Sequence, residues 1–407
     1  MSDPVRIGLL GKGTVGGAFH DLVLERADAV ETTTGRRPEI AGVLRRAEGD
    51  FDRILESSDV VVELIGGTDP ARDYVLRALE AGRHVVTANK QLIAQHGDEL
   101  FDAARSGGVQ LRFEAAVAGV VPVIRVIQES LAATEITKVF GIVNGTTNFI
   151  LSEMASTGAT YADALARAQE LGYAEADPTE DVNGADAAAK MAILARLAFR
   201  APVRLADVRY QGIEDIQPDD LAYAKELGLS LKLLGVAERL DGGISVRVFP
   251  CFLYPGHPLA PVEGPFNAVM VEAPAITEIT MSGPGAGGRE TATAVLGDVV
   301  SILSGEAPVH EPQAELAVVG DVVSSFYLHL AVADRPGVLA QIADVLGRNE
   351  VSVRSVVQRG LGDEARLVMV THACPESRFF AALEEIGPLD FVRAAPRAIR
   401  VIEEEFV

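Results

Sequence analysis

Val5-Arg6-Ile7-Gly8-Leu9-Leu10-Gly11-Lys12-Gly13-Thr14-Val15-Gly16 carries the reading that decides the fold. A short apolar run, expected to be a strand, leads into a GxGxxG turn, and the segment Gly17 to Ala27 can continue as a helix. In a strand–turn–helix of this kind the first glycine permits a tight turn and the second lets backbone approach a pyrophosphate. The third lets helix and strand pack closely, and the helix N-terminus offers free N–H groups to an anion. The spacing therefore predicts a dinucleotide site built on Gly11, Gly13, Thr14, Val15 and Gly16. A plain structural turn is the competing reading, since glycine-rich turns are common.

Apolar stretches alternate with helix-capable ones beyond this turn. Strands are expected at Ile40 to Leu44, Asp59 to Ile65, His84 to Ala88 and Val109 to Val117, with helices at Pro70 to Ala81 and Gly97 to Arg105. That alternation predicts a mostly parallel sheet. Helices at Pro122 to Ala132, Tyr161 to Leu171 and Asp186 to Phe199 then mix with strands at Ile244 to Leu253, Ala268 to Val271 and Ile276 to Met281, which reads as an α+β unit. A second glycine loop, Gly283 to Gly288, opens the helix-capable run Thr291 to Leu303 and can return the chain to the first unit. After a linker at Gly305 to Gly320, the order strand, helix, strand, strand, helix, strand reads as a ferredoxin-like βαββαβ unit. The expected division is a Rossmann-type domain over 1–117 completed by 283–310, a substrate and dimerisation domain over 118–282, and a regulatory domain over 324–407.

Composition narrows the function. The 407 residues carry a formal net charge of −22 with no basic stretch to offset it, which argues against nucleic acid or an anionic membrane as partner. The two cysteines, Cys251 and Cys374, lack CxxC spacing and read as reduced thiols of a cytoplasmic protein. No basic-then-apolar leader follows Met1, and no apolar run reaches membrane-spanning length. The scattered histidines do not form a zinc motif.

Four stretches carry residue types suited to chemistry. Thr87-Ala88-Asn89-Lys90 closes an expected strand at the carboxyl edge of the parallel sheet, where open α/β folds bind ligands. Asn144 to Asn148 is a polar turn between strand and helix, as suited to capping as to binding. In Leu171 to Lys190, Asp186 and Lys190 are four apart and share a helix face. That pair reads equally as a surface ion pair or as a lysine proton donor among carboxylates. Glu114 to Pro122 leaves a strand through small residues, where one carboxylate and free carbonyls would suit a hard monovalent cation, although a plain strand exit fits the pattern too.

Taken in order, GLLGKGTVG (Gly8 to Gly16), VVELIGG (Val61 to Gly67), TANK (Thr87 to Lys90), GIVNGTTNFIL (Gly141 to Leu151), LGYAEADPTEDVNGADAAAK (Leu171 to Lys190) and GPGAGGRETATAV (Gly283 to Val295) resemble the homoserine dehydrogenase family. The tail with Asp334-Arg335-Pro336-Gly337-Val338-Leu339 is similar to an ACT domain. The resemblance implies NAD(P)H-dependent reduction of aspartate 4-semialdehyde to homoserine, on the route to threonine, methionine and isoleucine. It implies Lys190 as proton donor and Lys90 at both cofactor and substrate. Glu175, Asp186, Asp181, Thr146 and Gly172 would meet substrate. Thr87, Gly172, Gly285 and Gly287 would join the first glycine loop at the cofactor. The family's sodium or potassium site maps to Glu114 with the carbonyls of Val117, Gly119 and Val121.

Arg45-Arg46, after the second strand, stand where an acidic residue would favour NAD, so NADP(H) is the expected preference, with NAD(H) possible. Threonine is the expected effector of the tail, at the turn where Gly337 opens a helix, the alternative being that the tail only dimerises through its open sheet edges; the tail is expected to be removable near Gly320 without loss of activity. A homodimer or higher homo-oligomer is expected. The sequence departs from the family at Val120, where a second glycine is usual, between Arg46 and Glu56, which is short, and at Ala189, where histidine is frequent. The alternatives are an oxidoreductase acting on an imine of an amino acid, or a catalytically silent amino-acid sensor.

Overall fold

A computed structural model describes residues 4–45, 49–305, 316–360 and 363–402. Five parallel strands open the chain: β1 (Val5–Leu10), β2 (Pro38–Leu44), β3 (Val60–Glu63), β4 (His84–Thr87) and β5 (Leu111–Arg112). Between them run α1 (Thr14–Thr34), α2 (Phe51–Ser57), α3 (Ala71–Glu80) and α4 (Lys90–Gly107). The sheet order is β2-β1-β3-β4-β5, so the chain reverses direction between β1 and β3. That switch point leaves a crevice at the carboxyl ends of the strands, the usual ligand site of such sheets. The amide of Leu64 bonds the Leu10 carbonyl at 2.7 Å and that of Gly11 bonds the Leu44 carbonyl at 2.9 Å, so the loops after β1, β2 and β3 converge there.

Two expectations in this region are corrected. The fifth strand is two residues rather than the nine from Val109 to Val117, because the chain turns at Glu114–Ala116. The Glu114 amide there bonds Asp298 and its carboxylate takes two amides from the next helix, which ends the strand. The helix expected at Gly97 begins seven residues earlier, at Lys90, because the Asn89 side chain caps it by accepting the Leu92 amide. Lys90 therefore opens a helix instead of closing a strand.

The middle of the chain holds α5 (Val123–Arg125), β6 (Lys138–Ile142), α6 (Gly145–Thr157), α7 (Tyr161–Glu170), α8 (Thr179–Val182), α9 (Ala185–Phe199), β7 (Arg209–Tyr210) and α10 (Pro218–Glu226). Strands β8 (Ser230–Leu240), β9 (Gly243–Leu253), β10 (Phe266–Ala273) and β11 (Thr277–Pro284) follow. Helix α11 (Gly288–Ser304) then returns to the first sheet. Its Ala292, Val295 and Val299 pack in one core with Phe19 and Val23 of α1 and the inner residues of β1 and β3. Residues 306–310, the end of the expected return, lie outside the described residues.

The tail is built as expected: β12 (Val323–Ala333), α12 (Val338–Arg348), β13 (Val353–Gly360), β14 (Glu364–Thr371), β15 (Cys374–Pro375), α13 (Glu376–Ile386) and β16 (Arg397–Ile402). It is not a separate module. β16 pairs in parallel with β9, Arg400 opposite Cys251 through Ile402 opposite Leu253, so one sheet runs β11-β10-β6-β8-β9-β16-β12-β14-β13. Helix α10 lies on the same tail. Asp219 pairs with Arg366 at 2.8 Å, Asp220 with Arg397 at 2.9 Å, and Glu226 with Arg359 at 2.7 Å, while Tyr223 faces His329. Asp220 also accepts the Tyr327 hydroxyl at 3.4 Å. Cutting near Gly320 would strip β9 of a neighbour and leave buried Asp220 without its cation. The shared sheet and this pair therefore argue against a clean removal there.

Among the described residues no helix is long and apolar enough to cross a membrane. Asp220→Ala should leave Arg397 without its carboxylate and lower the stability of the whole chain by on the order of 3 kcal/mol, the usual cost of halving a buried pair. Urea unfolding checks this, and a loss under about 0.5 kcal/mol would show the pair to be solvated.

Candidate active site

The three glycines of the first loop sit in three different surroundings. Gly11 has φ +93°, and a Cβ there would stand 2.5 Å from the Leu64 carbonyl oxygen. A Cβ on Gly16 would run into the Gly11 carbonyl, which is the close packing of helix on strand. Gly13, the N-cap of α1, would place a Cβ in open space, with nothing within 4 Å. The middle glycine thus leaves a cradle before the amides of Thr14, Val15 and Gly16, whose first-turn N–H groups have no partner inside the helix. Arg45 is exposed one residue past β2, beside this loop, while Arg46 lies outside the described residues.

The second glycine loop is closely packed. A Cβ on Gly119 would approach the Gly285 carbonyl oxygen to 2.5 Å, and one on Gly285 would collide with the Asn267 amide. Gly287, at φ +143°, caps α11, and the next residue, Gly288, lies against Thr14. The N-termini of α1 and α11 therefore meet, and Gly285 is wedged between Asn267 and the turn after Glu114.

Opposite the crevice, one carboxylate gathers the polar side chains. Asp186, in the first turn of α9, is 2% exposed. Lys190, one turn on, reaches Asp186 Oδ2 at 2.8 Å and donates to the Val143 carbonyl at 2.8 Å. Lys90 comes from α4, across the boundary with the first sheet, and meets Asp186 Oδ1 at 2.5 Å. Asn144 Nδ2 donates to Asp186 at 2.9 Å and to Asp181 at 2.7 Å, while its Oδ1 caps α6 by accepting the Thr147 amide. The surface ion pair considered for Asp186 and Lys190 is thus excluded by burial.

Burial by itself raises the pKa of Asp186, but the Lys190 and Lys90 ammoniums beside it outweigh that and hold it well below the usual carboxylate range. Lys90 is raised: burial works against its charge, and the Asp186 carboxylate overcomes it. Asp181 is raised by burial and by Asp186, against the Asn144 hydrogen bond and the lysines. An ammonium has three N–H donors. Two of those on Lys190 are directed at Val143 and Asp186, which aims the third.

Other expected residues fall less directly on this cluster. Thr146 lies in the first turn of α6, and its hydroxyl donates to the Tyr173 carbonyl at 2.7 Å, pinning the loop 171–178 above that turn. Gly172, at φ +77°, makes the turn into the loop. Glu175 is exposed on the loop, its carbonyl accepting from Gln169, and its carboxylate is not among the partners of the lysine cluster. Thr87 does not present its hydroxyl to the crevice: it donates to buried Glu63 at 2.6 Å.

Glu114 is buried, its two oxygens accepting the Ile124 and Arg125 amides at 2.8 Å each. Burial and the neighbouring Asp298 carboxylate push it up to about 7 against those amides, and burial pushes Asp298 up to about 6. The left-handed backbone of this turn falls on Ala118 (φ +57°) and Gly119 (φ +63°), not on Val120, so the valine strains nothing. A carboxylate oxygen has a second lone pair beyond each amide bond, so Glu114 retains acceptor capacity for a cation. Val117 and Val121 flank the left-handed pair in the same buried turn.

Two polar residues at the heart of the site carried no chemical role in the sequence reading. Asn144 looked like a helix cap and is one, but its amide also bridges two carboxylates. Glu63 stood unremarked inside VVELIGG; a glutamate ending a fully apolar strand was the signal.

Residues 122–300 match the homoserine dehydrogenase family, residues 11–114 the NAD-binding domain of homoserine dehydrogenase, and residues 328–390 the ACT domain. The homoserine dehydrogenase of Corynebacterium glutamicum is 43% identical, over 98% of this chain and 95% of its own length. That of Mycobacterium tuberculosis is 42% identical, over 98% of each. The chain belongs to the homoserine dehydrogenase family. The family's members are NAD(P)-dependent oxidoreductases acting on a CH–OH group. The crystal structure of a homoserine dehydrogenase from Thiobacillus denitrificans superposes with a TM-score of 0.94 at 38% identity, covering 98% of this chain and 99% of that one. A hyperthermophilic archaeal homoserine dehydrogenase in complex with NADPH matches 74% of this chain and 97% of its own at a TM-score of 0.64 and 26% identity.

Gly13→Ala and Gly16→Ala separate the two glycine roles. Gly16→Ala should destabilise the fold by about 1–3 kcal/mol through overpacking. Gly13→Ala should melt normally and bind NADPH about tenfold or more weakly, a loss of about 1.4 kcal/mol. Thermal melts and a fluorescence titration with NADPH read both, and equal effects on both properties would contradict the division.

Proposed function

We propose that the chain reversibly reduces L-aspartate 4-semialdehyde to L-homoserine with Lys190 as the acid, and the observation that carries the reading is buried Asp186 held between Lys190 and Lys90. NAD(P)H supplies the hydride when bound. The Lys190 ammonium stabilises the charge that develops on the aldehyde oxygen and gives it a proton; Asp186 and the Val143 carbonyl hold the ammonium in place. Lys90 spans cofactor and substrate sides. Asp181, and Glu175 once the loop 171–178 folds over the substrate, provide carboxylates for its ammonium. The reaction runs in the cytoplasm, in the branch of metabolism that leads to threonine, methionine and isoleucine.

NADPH is the preferred cofactor. Arg45 stands at the end of β2 beside the glycine loop, and a related archaeal homoserine dehydrogenase has been solved in complex with NADPH. A sodium or potassium ion belongs at Glu114 with the carbonyls of Val117, Gly119 and Val121, where it would relieve the buried Glu114–Asp298 pair. Threonine is the effector of the tail. Gly337, at φ +89°, opens α12 with no capping side chain, and a Cβ there would meet only the Gln341 amide at 3.9 Å, which leaves room for a carboxylate before the helix. The working form is a homo-oligomer. The sheet ends at β13, where Val356 and Val357 are exposed.

The purified chain should oxidise NADPH when given aspartate semialdehyde, and Lys190→Ala should lower kcat by about two or more orders of magnitude with little change in NADPH affinity. No turnover by folded protein would end the reading, and near-normal kcat in the variant would return Lys190 to a structural role. The ratio of kcat/KM for NADPH over NADH should exceed one and fall when Arg45→Ala and Arg46→Ala are combined; an unchanged ratio removes the arginines from cofactor choice. Calorimetry should show threonine binding at millimolar levels, and potassium or sodium binding that Glu114→Gln abolishes. Silence from threonine would leave the tail a structural unit, and silence from both cations would leave the Glu114 turn without an ion.

A further inference from the structure

Glu63 is the last residue of β3 and is fully buried, an unusual place for an ionisable side chain. Three donors converge on its carboxylate. Oε1 accepts the amides of Ile65 at 2.7 Å and Gly66 at 3.3 Å, and Oε2 accepts the Thr87 hydroxyl at 2.6 Å. Thr87, buried at the end of β4, accepts the Asn89 amide on its hydroxyl oxygen at 3.0 Å. Asn89 in turn caps α4 through its Oδ1, and its Nδ2 donates to the Gly67 carbonyl at 2.5 Å. The next residue is Lys90, which reaches Asp186.

A closed circuit results. Glu63 fastens the loop 64–67 by its amides and the start of α4 by Thr87, and Asn89 ties the start of α4 back to the same loop. The loop borders the crevice at the switch point of the sheet, and the helix start delivers an ammonium to the substrate cluster. We infer that Glu63, acting with Thr87, is a positioning residue for the reaction: it sets where Lys90 meets Asp186 and so the direction in which Asp186 holds Lys190. The inference rests on the proposed role of Lys190.

A carboxylate is needed because every group that faces it is a donor, and an ionised carboxylate only accepts. The amide of glutamine has nearly the same shape but carries two N–H donors. Turned toward the loop, that amide would oppose the Ile65 and Gly66 amides. Turned toward Thr87, it would leave the threonine hydroxyl hydrogen without its acceptor. Either way one arm of the circuit opens with almost no change in volume. Thr87→Val opens the other arm while leaving Glu63 on its two amides, and Thr87→Ser restores the hydroxyl.

The test compares full-length wild type with Glu63→Gln, Thr87→Val, Thr87→Ser and Lys190→Ala. It measures kcat, KM for both substrates, the NADPH dissociation constant, the pH profile of kcat and the melting temperature. Glu63→Gln and Thr87→Val should lower kcat about 10- to 100-fold, the scale of a small misplacement of a reacting group. Both should shift the alkaline limb of the pH profile, and Thr87→Ser should recover most of the loss. Should Glu63→Gln fail to fold, Thr87→Val against Thr87→Ser carries the comparison alone. Lower melting temperatures with kcat and pH profile intact would make the circuit a structural cap and overturn the inference. Weaker NADPH binding with unchanged kcat at saturation would overturn it too, by assigning the loop to cofactor affinity. Normal kcat in Lys190→Ala would instead remove the reading on which the inference stands, so the two failures are distinct.

Discussion

A single carboxylate removed from water, that of Asp186, sets the terms for the rest of the site. An isolated buried charge costs several kcal/mol, and it survives only with opposite charge and hydrogen bonds on all sides. Here those come from three places in the chain: Lys190 on the same helix, Asn144 at the mouth of α6, and Lys90 from the nucleotide-binding sheet. Only Lys190 is local, brought near by sequence spacing alone; Asn144 lies 42 residues away. The third ties two domains through one pair of oxygens. Placement of α4 against α9 is therefore an electrostatic requirement as well as a packing result, and the crevice between sheet and lysine cluster takes its width from it.

Much of this was legible in the chain. The glycine loop, the parallel alternation, the Asp186–Lys190 spacing and the βαββαβ tail each follow from periodicity or from local chemistry, and the structure returns them with boundaries shifted by a few residues. What stayed hidden depends on contacts far apart in sequence. The early start of α4 follows from an Asn89 cap inside a stretch that reads as the end of a strand. The short β5 follows from bonds between Glu114 and Asp298, 184 residues away. The role of Asn144 rests on the carboxylates that α8 and α9 bring to its amide, and that of Glu63 on the Thr87 hydroxyl at the end of β4. The second glycine loop, read from the sequence as returning the chain to the first unit, also has a packing need that spacing does not show: Asn267 and Gly119 press on Gly285 from two sides.

The two glycine loops also explain why the chain leaves the nucleotide-binding sheet and returns. α11 completes the core over α1 and β1, and Asp298 on it takes the Glu114 amide while Arg125 reaches across to the same aspartate. The exit from β5, the turn at Ala118–Gly119 and the returning helix are locked together by buried polar groups.

The seam between β9 and β16 bears on how the tail speaks to the rest. Two units that share a ladder of backbone hydrogen bonds, and are bridged by a helix with a carboxylate on each of three strands, cannot swing as on a door hinge. They transmit force as one solid. A small molecule that altered the twist of the tail's sheet would bear on β9 and β8 through that ladder, and through α10 on α6, which Asn144 caps and whose first turn holds Thr146. Communication in such a body is a matter of stiffness: the stiffer the shared sheet, the smaller the motion that suffices.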